Sequence, residues 1–137
     1  MYNSTNSFTT QLNSNGVIYD YIERRGKSDL IVMKYRINEL TALDVLAFFE
    51  EDCENVAMRC FTGIRAPQSK RLSVYEHLNR LNATYRCVKF YFDGDEISVG
   101  CDTVLSGEPG DVLYRLLGTL VNIVELTYSG ILACVIE

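Results

Sequence analysis

The chain has 137 residues, of which 47% are apolar, and a net charge of −5 at pH 7. This length suits one domain with one core, over residues 1–137, and the apolar share excludes the composition of a disordered chain. The negative charge disfavours binding to nucleic acid phosphates unless the cations gather on one face.

The first predicted element is a short helix. Phe8 and Leu12 stand four residues apart in the polar stretch 5–13. Ser4 is a candidate N-cap, and the Asn-Gly pair at 15–16 is a left-handed stop.

A β-hairpin is predicted next. Two runs rich in β-branched and aromatic residues, 17–23 and 30–37, are typical of strands. The segment 25–29 between them has the composition of a turn.

The stretch 42–61 permits two predictions. Thr41 followed by Asp44 has the spacing of a capping box at the start of a helix. Apolar side chains at every second position of 43–49 are instead typical of a strand. We choose two strands, with the acidic cluster 50–54 as the turn between them.

A second helix is predicted after the connector 63–68, with Ser69 as its cap and Asn82 at the left-handed position that ends it. Its apolar residues share one side: Leu72, Val74, Tyr75, Leu78 and Leu81. Its polar residues fall on the other side: Lys70, Ser73, Glu76, His77 and Arg80.

A second hairpin is predicted over 85–92 and 96–104. The Asp-Gly pair at 93–94 indicates a type I′ turn in which Gly94 has a structural role. The acidic tip 93–96 would also attract a hard cation, but calcium loops spread their ligands over about 12 residues. We therefore expect a hairpin tip and no metal.

The last segment, from about Pro109, is the most apolar part of the chain. Its polar residues trace one narrow stripe: Arg115, Gly118, Thr119, Asn122 and Glu125. A helix that is apolar around most of its circumference needs cover on several sides, whereas a two-layer domain covers one. We expect a second protomer or a client protein to cover the surplus, through Leu113, Leu116, Leu117, Leu120 and Val124.

Several features favour the cytoplasm. The five cysteines form no C-x-x-C pair and predict no disulfide framework, and Cys60, Cys87 and Cys101 lie in runs where a thiol acts as a small hydrophobe. The first eight residues lack the pattern of a Sec signal peptide. Arg115 and Glu125 would make membrane insertion of the last helix costly, so no membrane contact is expected.

No catalytic residue, metal or cofactor is predicted. The single histidine, His77, lies on the predicted solvent face of its helix, so no Ser or Cys triad is indicated. The glycines lack the spacings that bind phosphate. An enzymatic function is the weakest of the hypotheses.

The segment 59–89 holds seven cations against Glu76 alone: Arg59, Arg65, Lys70, Arg71, Arg80, Arg86 and Lys89. Linear blocks of charge often disperse in space, so we first expect solvated side chains that balance acidic neighbours. The alternative is a regulator that binds an acidic partner or nucleic acid through Lys70, Arg71 and Arg80.

The run LNRLN at 78–82, followed by RCVKFYFDGDEISV at 86–99 and an apolar C-terminal helix, resembles the bacterial YbjN-like family of sensory transduction regulators. Asn82 matches the hallmark asparagine of that family. The fold of the family is similar to that of the type III secretion chaperones, small acidic α+β proteins that dimerise and hold client segments. The resemblance implies binding without catalysis.

These observations predict an α+β fold with an antiparallel sheet packed with helices, in α-β-β-β-β-α-β-β-α order, as in a secretion-chaperone-like two-layer domain. The predicted function is a non-enzymatic, protein-binding or chaperone-like regulatory module. We expect a homodimer and an unidentified protein partner.

Overall fold

The computed structural model of the protein describes residues 1–24, 28–50, 55–104 and 109–137. In chain order, the elements within them are α1 (Asn3–Ser14), β1 (Tyr19–Ile22), β2 (Asp29–Arg36), β3 (Ala42–Phe49), β4 (Asn55–Arg65), α2 (Arg71–Thr84), β5 (Lys89–Asp93), β6 (Glu96–Val104) and α3 (Gly110–Ile136). A short 3-10 turn, Gln68–Lys70, leads into α2. This is the predicted element order, and the α+β fold class is confirmed.

The six strands form one antiparallel sheet in the order β1-β2-β3-β4-β6-β5. β3 and β4 pair with each other, with Val45 opposite Cys60, so the prediction of two strands over 42–61 is confirmed. The alternation of apolar residues outweighs the capping-box spacing because both strands find neighbours in the sheet. The predicted acidic turn lies mostly at 51–54, outside the described residues.

β4 is longer than the predicted strand, which ended at Phe61. A shift of register between Phe61 and Arg65 lets the strand continue past Gly63, which has a φ of 73°. The N–H of Gly63 donates to Oε1 of Glu96 on β6 at 2.9 Å. A bulge of this kind keeps the strand paired, whereas the sequence at this position indicated a connector.

All three helices pack on the same face of the sheet. α3 contacts β4 and β6, α1 packs against the N-terminal part of α3, and α2 packs against its C-terminal part. The largest side chains buried between the layers are Phe8, Leu12, Ile31, Met33, Phe49, Met58, Ile97, Leu113, Leu117, Leu120 and Ile131. Burial of each of these side chains contributes about 1.5–3 kcal/mol to stability. Because they all lie between the sheet and the helices, the core is on one side of the sheet.

The helix ends differ from the predicted caps. α1 begins at Asn3 after an extended Tyr2, and Ser4 is buried inside the helix. Ser69 belongs to the 3-10 turn that leads directly into α2, so it does not cap this helix. The predicted stop after α1 is confirmed, since Gly16 has a φ of 69°.

The β5–β6 hairpin is confirmed, but its turn is not of type I′. Type I′ requires a positive φ at both central residues, which here are Gly94 and Asp95. Gly94 has a φ of 67°, whereas Asp95 is not among the residues with a positive φ. A glycine with a positive φ at the first central position is the pattern of a type II′ turn. Gly94 therefore has a structural role in a turn of type II′ instead of the predicted type I′.

By length and composition alone, α3 could cross a membrane. In this fold it lies across the sheet, with Leu113, Leu120 and Ile131 among the side chains that it buries in the core. Core helices of soluble proteins share this length and composition, so the pattern by itself is weak evidence that α3 contacts a membrane.

Candidate protein-binding surface

The five apolar side chains of α3 that the sequence assigns to a partner have different positions. Leu113, Leu117, Leu120 and Val124 are buried in the core, each at most 2% exposed, and Leu116 is half-buried at its margin. From the sequence we expect the sheet alone to cover α3 and a partner to cover the rest. Instead, α1 and α2 of the same chain cover the sides of α3 that the sheet leaves open. Of the five residues, the structure leaves Leu116 accessible.

The remaining apolar exposure of α3 is scattered. Val112, Leu126 and Ile136 are 49%, 63% and 72% exposed. A helix rises about 1.5 Å per residue, so neighbouring members of this set lie about 15 Å or more apart. Isolated apolar side chains are normal on protein surfaces, and the most exposed apolar residues of α3 therefore form no continuous stripe.

A continuous apolar surface lies on the side of the sheet that faces away from the three described helices. We call this surface the open face. It consists of one side of β2, β3 and β4: the half-buried Val32, Leu46, Phe48, Ala57 and Phe61, with the buried Leu30 at its edge. The register places Val32 opposite Leu46, and Phe48 opposite both Leu30 and Ala57. These side chains therefore form adjacent rows rather than separate spots.

The chemistry of the open face departs from the usual pattern. An antiparallel sheet with helices on one side commonly alternates apolar residues toward the core with polar residues toward water. In β3 the core side holds Val45 and Phe49, and the opposite side holds Leu46 and Phe48, which are half-buried. Apolar residues on both sides of a strand are typical of strands that are covered on both sides.

Arg59 and Gly100 make the centre of the open face flat. A Cβ atom on Gly100 would lie 2.7 Å from Cδ of Arg59, so the arginine side chain lies across the glycine. The guanidinium donates to the carbonyl oxygens of Met58 and Cys101 at 2.8 and 3.1 Å, and to Oδ1 of Asp102 at 2.7 Å. Held in this way, the long side chain does not project from the sheet.

Charged pairs border the open face. Lys34 and Asp44 lie 3.9 Å apart, and Asp102 also lies 3.6 Å from Lys89. The guanidinium of Arg24 lies 5.4 Å from the ring centroid of Phe48. An apolar centre with a polar rim is the arrangement of protein–protein interfaces.

The cations of segment 59–89 do not form one basic patch. Arg59 and Lys89 pair with Asp102, and Arg65 pairs with Asp95. These acidic partners neutralise three of the seven cations, as we expect when a linear block of charge disperses in the fold.

Of the three cations predicted to contact an acidic partner, Lys70 ends the 3-10 turn, Arg71 stacks over Phe92 of β5, and Arg80 is exposed on α2. Arg71 and Arg80 are nine residues apart, which places them on opposite sides of a helix. The structure therefore does not bring the three into one surface, and their contact with a partner stays a prediction.

Asn82 does not end α2 as predicted, because the helix continues to Thr84. Its side-chain amide pairs with the edge strand β5: Oδ1 accepts the N–H of Phe90 at 2.7 Å, and Nδ2 donates to the carbonyl oxygen of Phe90 at 3.0 Å. The amide takes the place that a neighbouring strand would occupy. The left-handed residue between α2 and β5 is Cys87, with a φ of 72°.

We expect Asn82→Ala to lower the free energy of unfolding by about 1–2 kcal/mol, because both backbone groups of Phe90 lose their partner. Asn79→Ala is the matched control on the same helix, since both changes alter helix propensity equally. Chemical denaturation measures the difference, and amide hydrogen exchange at Phe90 should accelerate in the Asn82 variant alone. Equal stability of the two variants would show that the amide contributes nothing.

The thiols of the core are poor nucleophiles. Burial raises the pKa of Cys60 to about 12, with a smaller contribution from Asp44, and burial raises the pKa of Cys101 to about 11. Both therefore stay protonated at neutral pH. Cys87 is exposed, unlike the small hydrophobe predicted there, and Cys53 lies outside the described residues.

His77 does not face solvent as predicted. It is half-buried beside α3, where a Cβ atom on Gly130 would lie 3.7 Å from its Nε2. Burial, followed by the charge of Arg80, lowers its pKa. The imidazole is therefore neutral at pH 7 and packs between two helices.

The acidic hairpin tip has partners within the chain. Asp95 pairs with Arg65, and Glu96 accepts the N–H of Gly63. Among the described residues, no group of three or more acidic, histidine or cysteine side chains has the geometry of a metal site. The carboxylates of the tip thus tie the hairpin to β4.

The sequence contained a signal for the open face that its analysis missed. After Asp29, β2 has four consecutive apolar residues from Leu30 to Met33, and β3 ends with five from Val45 to Phe49. Continuous apolar runs in strands indicate cover on both faces. With helices on one face, the runs point to a partner on the other.

The comparisons with known proteins agree with this fold. Residues 10–129 match the model of the YbjN family, described as "Putative bacterial sensory transduction regulator". The crystal structure of YbjN from E. coli, called "a putative transcription regulator", is similar with a TM-score of 0.56, 10% sequence identity and coverage of 92% of each chain. The complex of ExoU and SpcU from the type III secretion system of Pseudomonas aeruginosa gives a TM-score of 0.49, with 14% identity over 93% of this chain and 96% of that chain.

No curated protein matches the chain. The likeness to the YbjN structure, at 10% identity, shows the fold alone. The match to the family model spans residues 10–129, which is most of the 137 residues. The protein therefore belongs to the YbjN family.

Proposed function

We propose that this protein is a non-enzymatic regulatory module that works in the cytoplasm by binding proteins, and that its open face joins two copies into a homodimer. The observation that carries this proposal is the apolar surface of β2, β3 and β4 on the side of the sheet without helices. Membership of a family described as a sensory transduction regulator supports the regulatory part.

Exposed apolar area supports a partner on the open face. Burial contributes roughly 25 cal/mol for each Å² of apolar surface removed from water. Phe48, Phe61 and Leu46 are large side chains that gain this contribution only in part within one chain, since each is half-buried. Contiguous apolar patches on soluble proteins mark interaction sites.

The size of the sheet supports a second copy as the occupant. Strands lie about 4.8 Å apart and rise about 3.3 Å per residue, so one face of the six-stranded sheet spans roughly 700 Å², of which β2, β3 and β4 supply roughly 400 Å². A stable interface of standard size uses about 800 Å² from each partner. Two flat sheets of this size pack face to face about 10 Å apart, as in a β-sandwich.

The chemistry of the titratable groups supports a function without catalysis. Cys60 and Cys101 are held as thiols by burial, and His77 packs between α2 and α3. Asp95 and Glu96 are used in contacts with β4. Each of these groups has a structural partner instead of a substrate-sized cleft.

Substitution of Leu46 with glutamate tests the homodimer. We expect the wild-type protein to sediment as a dimer at high micromolar concentration and the variant as a monomer, because a carboxylate at the centre of the interface would lose its water. Leu46 is half-buried on the side of the sheet that faces away from the described helices and is not part of the core between the layers, so the variant should still fold. Circular dichroism and thermal unfolding check this.

Leu126→Glu is the matched control, because Leu126 is exposed on α3, on the helix side of the molecule. It should leave the dimer intact. A monomeric wild-type protein at high micromolar concentration would contradict the homodimer. A dimeric Leu46→Glu variant would exclude the open face as the interface.

A further inference from the structure

A groove lies between α2 and the edge strand β5, outside the open face. It has a volume of about 520 Å³. Aromatic residues form much of its lining: Tyr75 from α2, Phe90 and Phe92 from β5, and Tyr91, whose side chain alternates to the other side of the sheet. The rings of Tyr75 and Phe92 meet edge to face, with centroids 4.7 Å apart. We call this site the aromatic groove.

The backbone of β5 is available at one position in the aromatic groove. Both polar backbone groups of Phe90 bond to Asn82, so they point away from β6. Along a strand these groups alternate in direction, so the N–H and C=O of Phe92 point to the same side as those of Phe90. A pair of outward groups on an edge strand is the site where an extended peptide adds to a sheet.

Asn82 limits what can bind at this edge. Its amide already fills the position at Phe90, two residues before Phe92. A long strand would have to displace that amide, whereas a short extended segment can pair at Phe92 and stop there. The geometry therefore selects a short segment.

Arg71 supplies a charge at the same site. Its guanidinium lies 5.1 Å from the ring centroid of Phe92, and its buried Nε lacks a hydrogen-bond partner. Among the described residues, no carboxylate lies within ion-pair distance of Arg71. A carboxylate of a bound segment would pair with the charge of this guanidinium through its terminal nitrogens, since Nε itself is buried.

Two large apolar residues of α2 are exposed: Tyr75, which lines the groove, and Leu72, one turn before it. On α2, Leu72 is 73% exposed and Tyr75 is 52% exposed. Tyr and Arg are enriched in binding hot spots, and here the exposed Tyr75 lies one helical turn from the half-buried Arg71. The groove thus offers a backbone pair, a ring surface and an unpaired cation within one short stretch.

We infer that the aromatic groove binds a short, extended, acidic segment of another protein, which pairs with the backbone of Phe92, packs an apolar side chain on Tyr75 and places a carboxylate beside Arg71. This inference rests on the proposed protein-binding function and names the partner chemistry for it. The groove and the open face are separate, so a homodimer would present two such grooves.

Binding of a fluorescent peptide of alternating glutamate and valine tests the inference. We expect it to bind at least about tenfold more tightly than the same peptide with lysine in place of glutamate, because of the pair with Arg71. The net charge of −5 works against this preference, which makes the comparison stringent. A glutamate peptide with N-methylated backbone amides should lose binding, since it cannot pair as a strand. Fluorescence anisotropy measures all three.

Arg71→Ala should weaken binding of the glutamate peptide about tenfold. Arg80→Ala removes the same charge from the other side of α2 and should change it less than about twofold. Equal binding of the glutamate and lysine peptides, or undiminished binding of the N-methylated peptide, would overturn the inference.

The dimer-interface variant separates this inference from the homodimer. Leu46→Glu should bind the glutamate peptide as the wild type does, even as a monomer. If the peptide instead dissociates the wild-type dimer, the groove and the dimer interface overlap, and the inference of a groove separate from the open face is overturned.

Discussion

Replacement of Asp29 with alanine is expected to lower the free energy of unfolding by about 3 kcal/mol at neutral pH. Asp29 is 6% exposed at the start of β2. Its carboxylate accepts the N–H of Tyr2 at 2.8 Å, the hydroxyl of Thr5 at 2.7 Å and the hydroxyl of Tyr21 at 3.0 Å. Each hydrogen bond to a charged group contributes about 1.5–3 kcal/mol, part of which offsets the cost of burying the charge.

The same contact predicts how the effect depends on pH. Burial raises the pKa of Asp29, but the hydrogen bonds from Tyr2, Thr5 and Tyr21 outweigh burial and bring the pKa below its usual value. A lowered pKa in the folded state means that the stabilisation is complete above the pKa of the unfolded chain, near 3.9. It is lost as the pH falls through the lower pKa of the folded state.

Urea denaturation from neutral to acidic pH measures this effect. The difference between wild type and Asp29→Ala should be constant above about pH 5 and shrink below about pH 4. Asp20→Ala is the control, since Asp20 is an exposed residue of β1 and should change stability by less than about 0.5 kcal/mol. A difference that persists unchanged at low pH would exclude the carboxylate as the cause.

Replacement of Gly110 with alanine is expected to destabilise the protein by about 2–3 kcal/mol. Gly110 opens α3 where this helix meets α1, and its N–H donates to Oγ of Ser7 at 3.0 Å. A Cβ atom on Gly110 would overlap the carbonyl oxygen of Ser7 and lie 2.6 Å from its Oγ. The two helices must move apart to admit a methyl group.

Gly118 provides the matched control in the same helix. A Cβ atom there meets no atom within 4 Å. Gly118→Ala should stabilise the protein by roughly 0.5–1 kcal/mol, because alanine favours a helix more than glycine does. Thermal unfolding of the two variants should therefore shift in opposite directions, and a shift in the same direction would contradict the close packing at Ser7.

The order of elements could be predicted because each has a local signal. The alternation over 43–49 and the Asp-Gly pair at 93–94 indicate a strand and a hairpin from neighbouring residues alone. The left-handed Gly16 after α1 is likewise a property of one position. Such signals need no knowledge of distant contacts.

Other features depend on contacts between distant parts of the chain. The apolar breadth of α3 indicates that several surfaces cover it, but not that α1 and α2 supply them. The amide of Asn82 meets Phe90 only once the helix lies against the sheet edge, so its sequence position suggested a helix end. Arg59 and Gly100 are 41 positions apart, and their close fit across β4 and β6 has no local signature.

The side-chain amide at Phe90 has a consequence for how copies of this protein can assemble. Endless stacking of sheets into a fibre requires each molecule to offer a long receptive strand at both ends. Asn82 occupies one of these ends, so growth by strand addition has to stop there. The protein can dimerise or bind a short peptide segment, but the amide of Asn82 prevents polymerisation by strand addition at β5.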